Sequence, residues 1–130
     1  MPLYQMILHA KSYSTPQTLA SLVRNCASEI IGSGGVVRCV ENVGVRKLPH
    51  RFKAKFEDKR GIRYHEEARL LSFRFDASPT VLTSLERLIR FETDILRCNT
   101  VRPVEITKKA NITKLKNNPF HVSNRNPVLR

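Results

Sequence analysis

Residues 71–97 read LSFRFDASPTVLTSLERLIRFETDILR, and the fold turns on how they are parsed. Leu71, Phe73 and Phe75 recur at every second position, the period of a strand with one buried face, within a strand expected over 64–76. Ser78-Pro79 is a helix start: a hydroxyl to cap the first amides, then proline where its missing N–H costs nothing. Val81, Leu82, Leu85, Leu88 and Ile89 follow at helical spacing and form one apolar stripe. After Asp94 a further strand is expected over 95–106, interrupted late by Pro103. The stretch is therefore strand, helix, strand.

Upstream the same sentence is written once more. Residues 3–10 alternate as a strand with Tyr4, Met6 and Leu8 on one face. Ser14-Thr15-Pro16 starts a helix whose stripe is Leu19, Leu22, Val23, Cys26 and Ile30, and Gly32, Gly34 and Gly35 end it. A glycine cluster that follows a helix cannot cradle a phosphate at a helix start, so it carries no nucleotide-binding meaning. Residues 36–48 are rich in β-branched side chains and read as a second strand, with Gly44 marking a bulge or a close approach of backbone and Pro49 closing it. Residues 50–63 are polar and basic and read as a loop.

The resulting order is βαββαβ. Two helices with single apolar stripes must cover one face of a four-stranded antiparallel sheet, leaving the other face bare or given to a partner. This is an α+β chain of the ferredoxin-like, split βαβ architecture, with one domain over 1–106. After Thr107 asparagine, lysine and proline dominate and apolar periodicity stops, so 107–130 reads as an extended basic C-terminal tail.

Charge narrows the function. The chain carries 23 basic and 11 acidic residues in 130, a net +12. Residues 45–63 hold Arg46, Lys47, Arg51, Lys53, Lys55, Lys59, Arg60 and Arg63 against Glu57 and Asp58. The tail holds Lys108, Lys109, Lys114, Lys116, Arg125 and Arg130 with no acid, and the rest of the chain is neutral. Charge needed only for solubility would be spread evenly; two concentrated segments point to a polyanion, nucleic acid first and an anionic membrane second. The longest apolar runs span a few residues, so no membrane helix and no membrane partner are expected. Cys26, Cys39 and Cys98 are scattered and odd in number, which suits small hydrophobes in a reducing compartment and assigns no metal. No secretory signal is legible, and the first fifteen residues alternate like a strand and lack arginine, unlike a transit helix.

Catalysis finds no footing. His9, His50, His65 and His121 have no nucleophile or carboxylate at a motif spacing, and adjacent Glu66 and Glu67 point to opposite faces of a strand. An acylphosphatase of this architecture needs a glycine-rich anion loop after the first strand; here that segment is Ala10-Lys11-Ser12-Tyr13-Ser14. No enzyme, cofactor or small-molecule substrate is expected. The basic loop does offer chemistry: its cations can spread along a phosphate backbone, and Phe52 and Phe56 either stack on unpaired bases or anchor the loop to its own domain. Phe73 and Phe75 alternate as in an RNA-recognition motif, the alternative reading being a free-standing RNA-binding regulator. However, Leu71-Ser72 stand where that motif wants a basic residue and glycine, and Leu71, Phe73 and Phe75 are more simply core.

Gly34-Gly35-Val36-Val37-Arg38, then Glu41-Asn42-Val43-Gly44-Val45-Arg46-Lys47-Leu48-Pro49, together with Asp94-Ile95-Leu96-Arg97 and the opening Met1-Pro2-Leu3-Tyr4-Gln5, resemble the bacterial-type small-subunit ribosomal protein S-six family. The resemblance covers residues 1–106. It implies a structural, RNA-binding component of the small-subunit platform that binds ribosomal RNA with the partner protein S-eighteen and other small-subunit proteins. Pro2 and Leu3 stand where bacterial members often carry arginine, and the tail is basic, so the chain looks more like the mitochondrial form, located in the matrix. Some mitochondrial relatives use a cysteine after the last strand for a shared iron–sulfur cluster; this tail has none. Arg46, Arg97 and Arg102, expected at strand ends, join the loop lysines and arginines and the tail lysines as the candidate RNA contacts.

Overall fold

Alternation and capping set each element of the computed structural model, which describes residues 1–103. Strand β1, Leu3–Lys11, buries Tyr4, Met6, Leu8 and Ala10 on one face. Helix α1, Pro16–Gly32, begins at Thr15, whose hydroxyl accepts from the Thr18 amide. Strands β2, Val36–Lys53, and β3, Tyr64–Asp76, form a long antiparallel hairpin. Helix α2, Pro79–Phe91, is capped by Ser78 in the same way as α1, and β4 runs Ile95–Val101. The sheet order β2-β3-β1-β4 with all pairs antiparallel is the expected ferredoxin-like arrangement.

One core lies between the sheet and both helices. Leu19, Leu22, Cys26 and Ile30 of α1 and Leu85 and Ile89 of α2 pack on Tyr4, Met6, Leu8, Leu71, Phe73 and Phe75. Phe73 and Phe75 are 3% and 0% exposed, so neither ring can stack on a base, which removes the recognition-motif reading of them. Gly35 lets α1 return onto the sheet: a Cβ there would lie 2.5 Å from the Asp76 carbonyl oxygen. Gly44 holds φ +92° where the β2 register slips against Leu70, the bulge its residue type foretells.

Three expectations need correcting. Strand β2 does not stop at Pro49 but continues to Lys53, so the loop covers 54–63 and not 50–63. Proline is tolerated because 48–51 form a wide bulge opposite the single residue Glu66, on an edge strand, where its missing N–H breaks no ladder bond. Strand β4 ends at Val101, since Pro103 cannot donate to a continuing ladder; 104–106 and the tail calls on Lys108, Lys109, Lys114 and Lys116 lie outside the described residues. Finally, the sheet face away from the helices is partly covered by the chain itself. The bulge turns Leu48 and Phe52 to one side, where with Ala54 they bury against Ala68 and Leu96 in a second small core.

Candidate nucleic-acid interface

The end of the β2–β3 hairpin, with the 54–63 loop at its tip, forms an arm that crosses the sheet. It leaves from the β2 edge, and Phe52 reaches His9 on β1, ring centroids 5.4 Å apart and nearly perpendicular. The same ring carries the Arg97 guanidinium of β4 at 4.3 Å and meets His50 edge-on at 5.0 Å. Phe52 is only 6% exposed, so it anchors the arm, whereas Phe56 is half-exposed and keeps a ring face for a ligand. At the tip's base the Ala54 amide donates to the Arg63 carbonyl at 2.7 Å, and the Gly61 amide donates to the Asp58 carbonyl at 2.8 Å.

A polar clasp holds the loop from the other side. The Tyr13 hydroxyl donates to Asp58, the Lys11 ammonium lies 3.9 Å from the other Asp58 oxygen, and Arg60 stacks on the Tyr13 ring. Accepting from Tyr13 keeps the Asp58 carboxyl below the usual carboxylate range. Burial, reinforced by that hydrogen bond, pushes the Tyr13 phenol up to about 12. His65 is buried beside Tyr13, with its Nε2 making no hydrogen bond among the described residues. Burial and then the Lys11 charge hold its pKa below the ordinary histidine value, against the opposing pull of Asp58. His9 is lowered too, by burial foremost. Both shifts favour the neutral imidazole.

The expected contacts fall into place around this arm. Arg46, Lys47, Arg51, Lys53, Lys55, Lys59, Arg60 and Arg63 are all exposed on it, and the Phe52 contact adds Arg97 to them. Arg51 pairs with Glu66 at 3.0 Å and Arg63 with Glu57 at 3.8 Å; both pairs are surface pairs of small worth. Arg46, Lys47, Lys53, Lys55, Lys59 and Arg60 have no ion pair among the described residues. Two placements differ from expectation. Arg46 lies inside β2 opposite Ala68 and Arg97 inside β4 opposite His9, neither at a strand end. Arg102 follows β4 at its far end, over Tyr4 at 6.0 Å, away from the arm. Lys11 and Tyr13 carry no motif and meet Asp58 across 45 residues or more, so no local pattern in the sequence points to the clasp.

Such a surface can neutralise closely spaced phosphates with cations held on a fixed backbone. Among the described residues no group of histidine, cysteine and carboxylate side chains could hold a metal ion. Comparison with known proteins agrees with the fold. The family described as "Ribosomal protein S6" matches residues 3–102. The chain belongs to the ribosomal protein S6 family. It is 33% identical to the small ribosomal subunit protein bS6 of Granulibacter bethesdensis, over 82% of this chain and 62% of that one. It is 32% identical to bS6m of Drosophila melanogaster, over 75% of this chain and 61% of the relative, so the match spans about three-fifths of these relatives' lengths. The crystal structure of the 30S ribosomal protein S6 from Thermotoga maritima superposes with a TM-score of 0.64 at 21% identity, over 84% of this chain and 94% of that one, a likeness of fold. The S6 family thus accounts for the whole described domain, arm included.

Proposed function

We propose that this chain is a structural constituent of the mitochondrial small ribosomal subunit, with no enzymatic activity. It binds ribosomal RNA of the platform through the arm and packs against S-eighteen and neighbouring small-subunit proteins on the open part of the sheet. The observation that carries the reading is the arm: six cations without an ion pair among the described residues, fixed over the sheet by buried Phe52 and by the Tyr13–Asp58 clasp. A cation set held on rigid backbone loses little entropy when phosphates arrive, which is how structural RNA-binding proteins position a strand. Family membership supports the small-subunit assignment; the resemblance to mitochondrial members supports the location. No described helix is long and apolar enough to cross a membrane. Sucrose-gradient sedimentation of the tagged full chain, from purified mitochondria and from whole cells, tests both parts. Co-migration with mitochondrial small subunits is expected, and a protein found free at the top of the gradient refutes it.

A further inference from the structure

Beside the free edge of β4 lies a cleft of about 290 Å³, close to the lower end of ordinary small-ligand sites (roughly 300 Å³). Three elements each send one cation to it: Lys55 from the arm, Arg90 from the last turn of α2, and Arg97 from β4. None of the three is in an ion pair among the described residues. The one carboxylate at the cleft, Glu86, accepts from the Thr100 hydroxyl at 3.1 Å. The floor is aliphatic, made by Ile89 and Leu96, which are 1% and 2% exposed. Cys98, also on the wall, is a protonated thiol at neutral pH, its pKa pushed up to about 11 by burial, and adds no charge.

Arg97 has two faces with different fates. One lies over the Phe52 ring; the residue remains exposed, so the other can receive a second flat group. Guanidinium planes stacked in this way are platforms for unpaired bases. Lys55 and Arg90 supply point charge and fork at the rim for a phosphate.

We propose that this cleft takes a single unstacked RNA nucleotide, its base against Arg97 and the aliphatic floor and its phosphate between Lys55 and Arg90. The inference rests on the RNA-binding reading and deepens it by naming the unit bound and its place, a cleft at the β4 edge that the arm completes through Lys55. A lone carboxylate from a protein partner would satisfy the cations but leave the floor and the Arg97 face unused; a nucleotide uses all three.

The test is an amide NMR titration of the full chain with adenosine 5′-monophosphate, with adenosine and inorganic phosphate as separate probes, beside a binding assay with a structured oligoribonucleotide. The monophosphate is expected to shift the amides of 86–90 and 96–99, with adenosine or phosphate needing about tenfold higher concentration each. Arg90→Gln and Lys55→Gln, both at exposed positions, should each weaken the monophosphate about five- to tenfold while leaving the melting temperature unchanged. Inorganic phosphate binding as well as the monophosphate would reduce the cleft to an anion hole and overturn the proposal. So would a glutamate-containing peptide that displaces the monophosphate at equal concentration. Should the oligoribonucleotide bind while 86–99 stay silent to the monophosphate, the nucleotide site is wrong and the RNA-binding reading stands. Loss of oligoribonucleotide binding altogether would refute that reading itself.

Discussion

Replacing Phe52 with alanine separates an anchored arm from a base-stacking one. The ring is 6% exposed and packs against Leu48, Ala54, Ala68 and Leu96, with Arg97 above it and His9 and His50 at its edges. Phe→Ala in a main core costs about 3–5 kcal/mol, and a guanidinium on an aromatic face adds about 0.5–1 kcal/mol at an exposed site. The second core is small and can partly collapse, so a loss of about 2–4 kcal/mol is expected. For a domain of this size that lowers the melting temperature by roughly 10–20 °C. Phe52→Leu keeps most of the volume and gives up the ring contacts, with an expected cost of about 1–2 kcal/mol. Phe56→Ala, at a half-exposed position, should stay within about 0.5 kcal/mol. Thermal denaturation by circular dichroism reads the stability, and hydrogen exchange at the Ala54 amide, bonded to the Arg63 carbonyl, reads arm opening. RNA affinity should fall in Phe52→Ala while its salt dependence holds, because the cations are unchanged. If Phe52→Ala melts like Phe56→Ala, keeps Ala54 protected and still loses RNA, the ring contacts RNA and the anchoring argument is wrong.

Four further outcomes are expected. Reversing Lys53, Lys55 and Lys59 together to glutamate should lower RNA affinity and flatten its logarithmic salt slope by roughly 2–3, measured by filter binding between low and moderate salt; an unchanged slope would place the RNA elsewhere. Phe73→Ala or Phe75→Ala should each destabilise the domain by about 3–5 kcal/mol in urea denaturation, and a stable variant that lost RNA would revive the recognition-motif reading. Gly35→Ala sets a methyl against the Asp76 carbonyl and the Ile30 side chain, and about 1–3 kcal/mol of destabilisation is expected in the same assay. His9 and His65 have depressed values in the folded state, so the unfolded chain takes up protons first: stability is complete above about 6.5 and declines as pH falls from there through the lower folded values. Urea midpoints at pH 7.5 and 5.5 should show this decline, and His65→Gln should reduce it; a variant with the full decline would assign the effect to other groups.

What was legible in the sequence was what repeats locally. Strand alternation at Leu71, Phe73 and Phe75, hydroxyl–proline starts at Thr15 and Ser78, and two apolar stripes were enough for the element order, the antiparallel sheet and its core. The cationic segment was legible as composition. Its shape was not, because Pro49 reads as a stop whether it ends a strand or occupies a bulge on an edge, and only the pairing partner distinguishes the two. The anchoring of Phe52 by Arg97 joins residues far apart in the chain, with no periodicity linking them. Arg90 was overlooked for a similar reason: on the polar side of a helix it looks like any solvated arginine, and only the approach of Lys55 and Arg97 gives it company.

The arm ties the first-made edge strand of the sheet to the last-made one, and this has a consequence for synthesis. During translation the arm is complete well before Leu96 and Arg97 emerge, so Phe52 has its hairpin but neither its lid nor its guanidinium. The central strand β1 likewise waits for β4 to fill its second edge. Contacts of such long sequence separation form late and slow folding. A nascent chain halted before residue 95 would therefore expose an apolar ring, an open strand edge and a loose cluster of positive charge together. That combination is prone to aggregate and to gather RNA indiscriminately. Release of the last strand from the exit tunnel is the event that seats the arm, so the cationic surface acquires its fixed shape only once the domain has been made in full.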